Sequence, residues 1–168
     1  MIFLANRPPL LSGSNRVFDE KDNIWMQRAL QLAKRAAACN EVPVGAIVVH
    51  NDKIIGQGFN QCIQKNDPTA HAEIIALREA AESIGNYRLV DTSLYVTLEP
   101  CMMCAGAMVH SRIKHLVHGA YDTRTGAIVS QVRLLDQSFV NHRVSYMGGL
   151  MREECGDLLT QFFRGRRE

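Results

Sequence analysis

The sequence predicts an α/β protein in which helices pack on a mixed β-sheet, and three observations support this fold class. Two apolar runs, 42–49 and 53–59, flank a turn at Asn51-Asp52 and predict an antiparallel hairpin. After the hairpin, segments with helical periodicity alternate with short apolar runs, which is typical of a sheet covered by helices. With 168 residues and 46% hydrophobic content, the chain is long enough to bury a core in one domain.

The first helix is predicted to begin at Asp22, whose side chain suits an N-cap. Its apolar residues recur at steps of three and four and form one stripe that we expect to face the core: Met26, Leu30, Ala33 and Ala37. The later predicted elements are, in order, a helix over 70–83 that ends at Gly85, a strand over 94–98, a helix over 101–110, a strand over 114–119 and a closing helix over 151–163.

We expect a single domain over 21–168, preceded by a flexible leader over 1–20. The leader carries two prolines and the run Ser12-Gly13-Ser14-Asn15, which do not favour regular structure. Its apolar start, 1–5, is too short for a secretory signal, and no apolar run in the chain reaches membrane-spanning length. Export and membrane insertion are therefore not predicted.

Cysteine usage and net charge restrict the function further. The chain has five cysteines, an odd number, and Cys39, Cys62 and Cys155 each stand alone in the sequence. We therefore do not predict a disulfide scaffold, and we expect a cytoplasmic location. The net charge of +2 is too small to indicate nucleic-acid binding by itself, so only local patches are informative.

Two short motifs contain the residue types of a metal site, 71–73 (HAE) and 100–104 (PCMMC). One imidazole and two thiolates supply three ligands for Zn²⁺, which favours four-coordinate sites, so the fourth position remains for water. A carboxylate beside such a water can take and return its protons. The motifs therefore predict a catalytic zinc site with His71, Cys101 and Cys104 as ligands and Glu73 as the proton shuttle.

Both motifs are predicted to open a helix. His71 comes shortly after Pro68 and Cys101 directly after Pro100, and proline suits the first helical turn. Free backbone N–H groups at a helix start carry partial positive charge, which favours thiolate over thiol. Cys101 and Cys104, three residues apart, share one face of their helix and can bind a single ion.

Two other interpretations of these residues remain. A structural zinc site needs a fourth protein ligand, and none stands out, because His115 and His118 alternate along a predicted strand and face opposite ways. The Cys-x-x-Cys pair alone is also typical of thiol redox proteins. Its combination with His-x-Glu favours the metal interpretation.

The two motifs resemble those of the zinc-dependent cytidine and adenosine deaminases. Four further segments are similar to the bacterial tRNA-specific adenosine deaminases: 41–46 (EVPVGA), 67–73 (DPTAHAE), 95–100 (YVTLEP) and 104–108 (CAGAM). The resemblance extends from about Asp22 to Arg167. It implies the three-layer α/β/α fold of the cytidine deaminases, with a mixed five-stranded sheet and helices on both faces.

The resemblance also implies an activity. The protein would be a hydrolase that converts adenosine to inosine at the wobble position of a tRNA anticodon and releases ammonia. It would bind one Zn²⁺ per subunit and form a homodimer. The residues expected to bind the substrate RNA are Pro43, Val44, Asn60, Ala72, Asp122, Phe163, Arg166 and Arg167.

Taken without the resemblance, several of these residues have simpler explanations. Asn60 suits the end of a strand, and Asp122 suits the start of a turn. The tail, 162–167, interleaves aromatic residues with cations, which suits RNA contact but also the end of an amphipathic helix.

Two other functions also remain open. One is deamination of a free nucleobase or nucleoside of the guanine or cytosine type, and the other is a zinc-bearing RNA-binding module without turnover.

Overall fold

The computed structural model describes residues 16–166, which form one five-stranded sheet with helices on both faces. The strands are β1 (Gly45–His50), β2 (Lys53–Phe59), β3 (Ser93–Leu98), β4 (His115–Ala120) and β5 (Ser145–Gly148). The helices are α1 (Glu20–Ala38), α2 (Cys62–Lys65), α3 (Ala72–Ile84), α4 (Met102–Ser111) and α5 (Arg152–Arg164), with a 3₁₀ turn over Leu134–Asp136. The strand order is β2-β1-β3-β4-β5; β1 is antiparallel to β2 and β3, whereas β3, β4 and β5 are parallel.

Alternate residues of the central strands face two separate apolar clusters. Ala46 and Val48 of β1 pack in the cluster that contains α3 and α4, whereas Ile47 and Val49 pack in the cluster with α1 and α5. The chain therefore has three layers, α/β/α, and the predicted fold class is confirmed. Within residues 16–166, no helix combines the length and the apolar character needed to span a membrane.

Glycines on β1 and β2 let the helices lie directly on the sheet. A Cβ atom at Gly45 would lie 2.1 Å from the carbonyl oxygen of Ala29 in α1, and one at Gly56 would lie 2.2 Å from that of Ala76 in α3. No side chain fits at such separations, so glycine is required where helix and strand approach this closely. The close contact of β2 with α3 fixes the helix whose N-terminus carries His71.

The start of α1 differs from the prediction. Its N-cap is Asp19, not Asp22, and the two form a capping box in which each carboxylate accepts the other's backbone N–H. Asp22 is instead fully buried and accepts hydrogen bonds from the Arg16 guanidinium and the Tyr95 hydroxyl, at 2.5 and 2.7 Å. Asp22, which was predicted to cap α1, therefore links α1 to β3 through its hydrogen bond with Tyr95.

The apolar stripe of α1 is buried as predicted at Met26, Leu30 and Ala33. Its last buried member is Ala36, whereas Ala37 is only half-buried. Residues three apart, such as Ala33 and Ala36, lie on the same side of a helix. The buried face of α1 is therefore the predicted one, and only its last residue differs.

Residues 1–15 of the predicted leader lie outside the described residues, so its flexibility stays a prediction. Residues 16–20 are described, and two of their side chains contact the domain. Phe18 lies against the cluster beneath α1, and Arg16 forms an ion pair with Asp22.

Strand β5 was not predicted from the residue pattern, which indicated four strands. It has four residues and pairs in parallel with β4, with Tyr146 opposite Leu116. Four residues are too few for a period-two pattern to stand out, so this strand is defined by its partner. The five strands implied by the family resemblance are confirmed. Strand β1 begins later than predicted, at Gly45, since Pro43 has no N–H to give to a ladder.

Candidate active site

The two metal motifs lie where helices α3 and α4 begin. His71 is the N-cap of α3 and Cys101 the N-cap of α4, and neither side chain caps its own helix. Both motifs open a helix, as predicted, but α3 begins two residues later and α4 one residue later than predicted, so that His71 and Cys101 directly precede their helices. Pro100 precedes the cap, and Pro68 lies in an upstream turn. At the N-cap the backbone is extended, so both side chains are free to turn toward the space between the helices.

The three predicted ligand atoms converge. His71 Nδ1 lies 3.7 Å from Cys101 Sγ and 3.6 Å from Cys104 Sγ, and all three ligand atoms lie within 4.8 Å of one another. Tetrahedral zinc with ordinary Zn–N and Zn–S bond lengths requires an N···S separation of about 3.6 Å. The separations and the donor chemistry therefore fit one zinc ion.

The group contains three side chains, whereas a structural zinc site needs four protein ligands. Among the described residues, no fourth histidine, cysteine or carboxylate joins it. His115 and His118 alternate along β4, as predicted, and stay outside the group. An open site with room for one further ligand is thus favoured over a structural zinc site.

Glu73 lies in the first turn of α3 and is 4% exposed. Burial raises the pKa of its carboxyl group from 4.5 to about 7, although the nearby His71 opposes the shift. A carboxyl group with a pKa near neutrality can both accept and return a proton, so burial suits Glu73 to acid–base chemistry.

The two thiols have opposite pKa shifts because they lie so close together. Hydrogen bonds from the Cys104 thiol and from His71 lower the pKa of Cys101 to about 4, against the effect of burial. The shared hydrogen bond with Cys101, together with burial, raises the pKa of Cys104. A divalent cation relieves this conflict, because its charge compensates two thiolates at once.

Asn60 contacts the first residue of α3. Its Oδ1 accepts a hydrogen bond of 2.9 Å from the backbone N–H of Ala72. Since His71 does not cap α3, Asn60 supplies this acceptor from the end of β2. The contact places both predicted substrate residues, Asn60 and Ala72, next to His71.

The other predicted substrate residues have clear structural surroundings. Pro43 and Val44 are buried just before β1, and Val44 belongs to the apolar cluster that also contains Ala72 and Cys104. The Asp122 carboxylate accepts hydrogen bonds from the backbone N–H groups of Arg124 and Thr125 and from the Thr125 hydroxyl. Asp122 therefore organises a turn, which is the simpler of its two predicted roles, and its contact with substrate stays a prediction.

The tail lies at the end of α5 and reaches the end of α1. Phe163 is 46% exposed, and the Arg166 guanidinium lies 4.4 Å from the centre of the Phe162 ring. Arg166 also donates a hydrogen bond to the carbonyl oxygen of Asn40. Arg167 lies outside the described residues, so its contact with RNA stays a prediction.

Two buried carboxylates were missed by the sequence reasoning. Glu41 is 1% exposed and accepts the backbone N–H of Gln64 in α2, at 2.7 Å. Glu99 is 2% exposed and accepts several hydrogen bonds from the loop after β4. Their only signal in the sequence is an acidic residue directly beside an apolar run, as at Leu98-Glu99.

Comparison with known proteins identifies the family. The family model for MafB19-like deaminases matches residues 20–167. A tRNA-specific adenosine deaminase of Haemophilus influenzae is 54% identical over 152 residues, which covers 90% of this chain and 86% of that protein. The chain belongs to the tRNA-specific adenosine deaminase family. A member from Bacillus subtilis is 40% identical over 148 residues and covers 88% of this chain and 92% of its own length.

Solved structures agree with this assignment. A structure from a study of A-to-I editing by tRNA:A34 deaminases at the wobble position superposes with a TM-score of 0.79 at 41% identity, covering 81% of this chain and 99% of that one. A guanine deaminase from Nitrosomonas europaea superposes with a TM-score of 0.72 at 24% identity, covering 94% of this chain and 88% of that one. The second likeness shows the shared fold alone. The chain is thus a deaminase-family member whose fold carries a His-Cys-Cys group able to hold a metal ion.

Proposed function

We propose that this protein deaminates adenosine to inosine at the wobble position of a tRNA anticodon. The observation that carries the proposal is the meeting of two helix N-termini around His71, Cys101 and Cys104, with the buried Glu73 beside them. The identity to tRNA-specific adenosine deaminases supports the substrate class. A cytoplasmic location and a homodimer complete the proposal.

His71, Cys101 and Cys104 would hold one zinc ion per chain, which when bound supplies a Lewis acid that makes water nucleophilic at neutral pH. Glu73 accepts a proton from the attacking water as its oxygen bonds to the ring carbon that bears the exocyclic amine. Glu73 passes this proton to the ring nitrogen, then takes the second proton from the new hydroxyl group on the ring carbon and gives it to the departing amine, so that ammonia leaves and inosine remains. The burial of Glu73 excludes bulk water from these transfers.

The chemistry of the target also favours RNA in an open loop. An enzyme that attacks a ring carbon cannot reach it inside a base-paired stack, and an anticodon loop presents unpaired bases. In this proposal Asn60, Ala72, Pro43 and Val44 border the base, and Asp122 borders the nucleotide. Phe163, Arg166 and Arg167 contact the flanking RNA, where aromatic stacking and cations are effective.

The test compares tRNA with free bases. The protein is incubated with a tRNA carrying a wobble adenosine, with the same tRNA carrying a wobble guanosine, and with free adenosine, guanine and cytosine. Inosine is measured by mass spectrometry of nuclease digests, ammonia release is measured with every substrate, and Glu73→Gln serves as the matched variant with unchanged metal ligands. We expect inosine at the wobble position only with wild-type protein and the adenosine-bearing tRNA. Conversion of a free base but not of tRNA would refute the proposal in favour of a nucleobase deaminase, and zinc-loaded protein that binds tRNA without releasing ammonia would indicate an RNA-binding module.

A further inference from the structure

Glu99 joins the metal motif to a loop that is distant in sequence. It follows β3 and directly precedes Pro100 and the ligand Cys101. Its carboxylate is 2% exposed and accepts hydrogen bonds from the loop that runs from Asp122 to Ser130 after β4.

Both carboxylate oxygens bind this loop. Oε1 accepts the consecutive backbone N–H groups of Ile128, Val129 and Ser130, at 3.1, 2.7 and 2.9 Å. Oε2 accepts the backbone N–H of Asp122, at 3.1 Å, and the hydroxyl of Ser130. One buried side chain therefore holds both ends of the loop, through charge-assisted hydrogen bonds that are stronger than neutral ones.

Two further contacts place the loop beside the metal motif. The backbone N–H of Ala127 donates to the carbonyl oxygen of Pro100, at 2.8 Å, so the loop is bonded to the residue that precedes Cys101. A Cβ atom at Gly126 would lie 2.5 Å from the Glu99 carboxylate. The loop can approach Glu99 this closely only because residue 126 is glycine.

We propose that Glu99 is a positioning residue for deamination, which fixes the 122–130 loop as a wall of the nucleotide site beside Cys101. The inference rests on the proposed function, because only a nucleotide in the site gives the wall something to position. Glu99 itself touches neither the ligand group nor the reacting atoms. Its effect on catalysis passes through the loop.

The test uses Glu99→Gln. An amide keeps one oxygen to accept the three N–H groups from Ile128, Val129 and Ser130, but its NH₂ group would face the N–H of Asp122 as a second donor. The substitution therefore releases the Asp122 end of the loop and leaves the other end bound. Ser130→Ala is a milder second variant, because it removes only the hydroxyl contact.

Asp22→Asn is the matched control. Asp22 is also a fully buried carboxylate, and it accepts hydrogen bonds from Arg16, Tyr95 and the backbone of Asp19. It lies in the α1 and α5 layer, on the opposite face of the sheet from α3 and α4. It thus reproduces the loss of a buried carboxylate without any contact to the loop.

Three quantities are measured at a temperature well below the melting point of every variant: bound zinc, the steady-state kinetics on tRNA, and the rate of tryptic cleavage after Arg124, which lies exposed in the loop. For Glu99→Gln we expect unchanged zinc, a KM for tRNA raised roughly tenfold and faster cleavage at Arg124, because a charged hydrogen bond is lost. For Ser130→Ala we expect smaller changes in the same direction. Asp22→Asn should melt at a lower temperature but keep the wild-type KM and cleavage rate, because every hydrogen-bond partner of Asp22 lies outside the loop.

The inference is overturned if Glu99→Gln keeps the wild-type KM and cleavage rate, or if its defect disappears when lost zinc is restored. It is also overturned if Asp22→Asn raises the KM as much as Glu99→Gln does. Failure of the proposed function is distinguishable, since it appears as wild-type protein that does not deaminate tRNA. In that case the cleavage at Arg124, which needs no substrate, still shows whether Glu99 holds the loop.

Discussion

Replacing Glu73 with glutamine is expected to stabilise the metal-free protein above pH 7 and to lower the deaminase activity of the zinc-loaded protein. Glu73 is 4% exposed, and burial raises its carboxyl pKa from 4.5 to about 7. Between these pH values the unfolded chain has lost a proton that the folded protein still holds. Wild-type stability therefore falls as the pH rises through this window, whereas glutamine has no charge to bury.

The magnitude follows from the two pKa values. At about 1.4 kcal/mol per pH unit, the difference in unfolding free energy between variant and wild type grows from near zero below pH 4.5 to about 3 kcal/mol above pH 7. Above pH 7 both states are ionised, and the difference stays constant. Added zinc should reduce it, because a divalent cation stabilises a nearby carboxylate.

Urea unfolding of chelator-treated protein at several pH values between about 5.5 and about 8.5 measures this difference. Glu82→Gln, at an exposed position of the same helix, controls for the loss of one negative charge from α3. With zinc bound, deamination should be slower by about 10²-fold or more in Glu73→Gln than in the wild type, because a general acid–base residue contributes at least this much to the rate. A stability difference that does not change with pH, or a variant less stable than wild type above pH 7, would refute the reasoning.

Three further predictions concern the scaffold and the substrate contacts. Gly45→Ala should lower the unfolding free energy by about 3 kcal/mol, because its Cβ would lie 2.1 Å from the Ala29 carbonyl oxygen; an unchanged melting temperature would contradict the close packing. Asn60→Ala leaves the Ala72 N–H without its acceptor and should lower stability by about 1 kcal/mol while raising the KM for tRNA, and an unchanged KM would exclude contact with the base. Arg166→Ala should weaken tRNA binding, and the slope of log Kd against log salt concentration should fall by about 1, the value of one lost phosphate contact. Binding titrations at several salt concentrations measure both.

The sequence predicted the parts of the fold that depend on local pattern. The periodicity of α1 and the turn at Asn51-Asp52 are local, and both are present, with positive φ at both turn residues. The choice between Asp19 and Asp22 as the helix cap is not local. Either residue suits a cap, and the buried hydrogen bond from Tyr95, which is distant in sequence, determines the role of Asp22.

The convergence of His71, Cys101 and Cys104 was predictable because these residues are few, chemically distinctive and closely spaced in two motifs. The role of the Glu99 carboxylate was not predictable, since the four residues that donate its five hydrogen bonds lie in a loop that only the fold brings next to it. The same limit applies to β5, whose four residues are a strand only because β4 lies beside them. The parts that escaped prediction are thus those defined by partners distant along the chain.

The central claim is that one metal ion, held by His71, Cys101 and Cys104, enables this protein to deaminate tRNA. The most direct measurement adds zinc stepwise to chelator-treated protein and follows both bound zinc and inosine at the wobble position. The account predicts that activity is absent without metal, rises in proportion to bound zinc and levels off at one ion per chain. Full activity in the metal-free protein, or none once that single ion is bound, would contradict it.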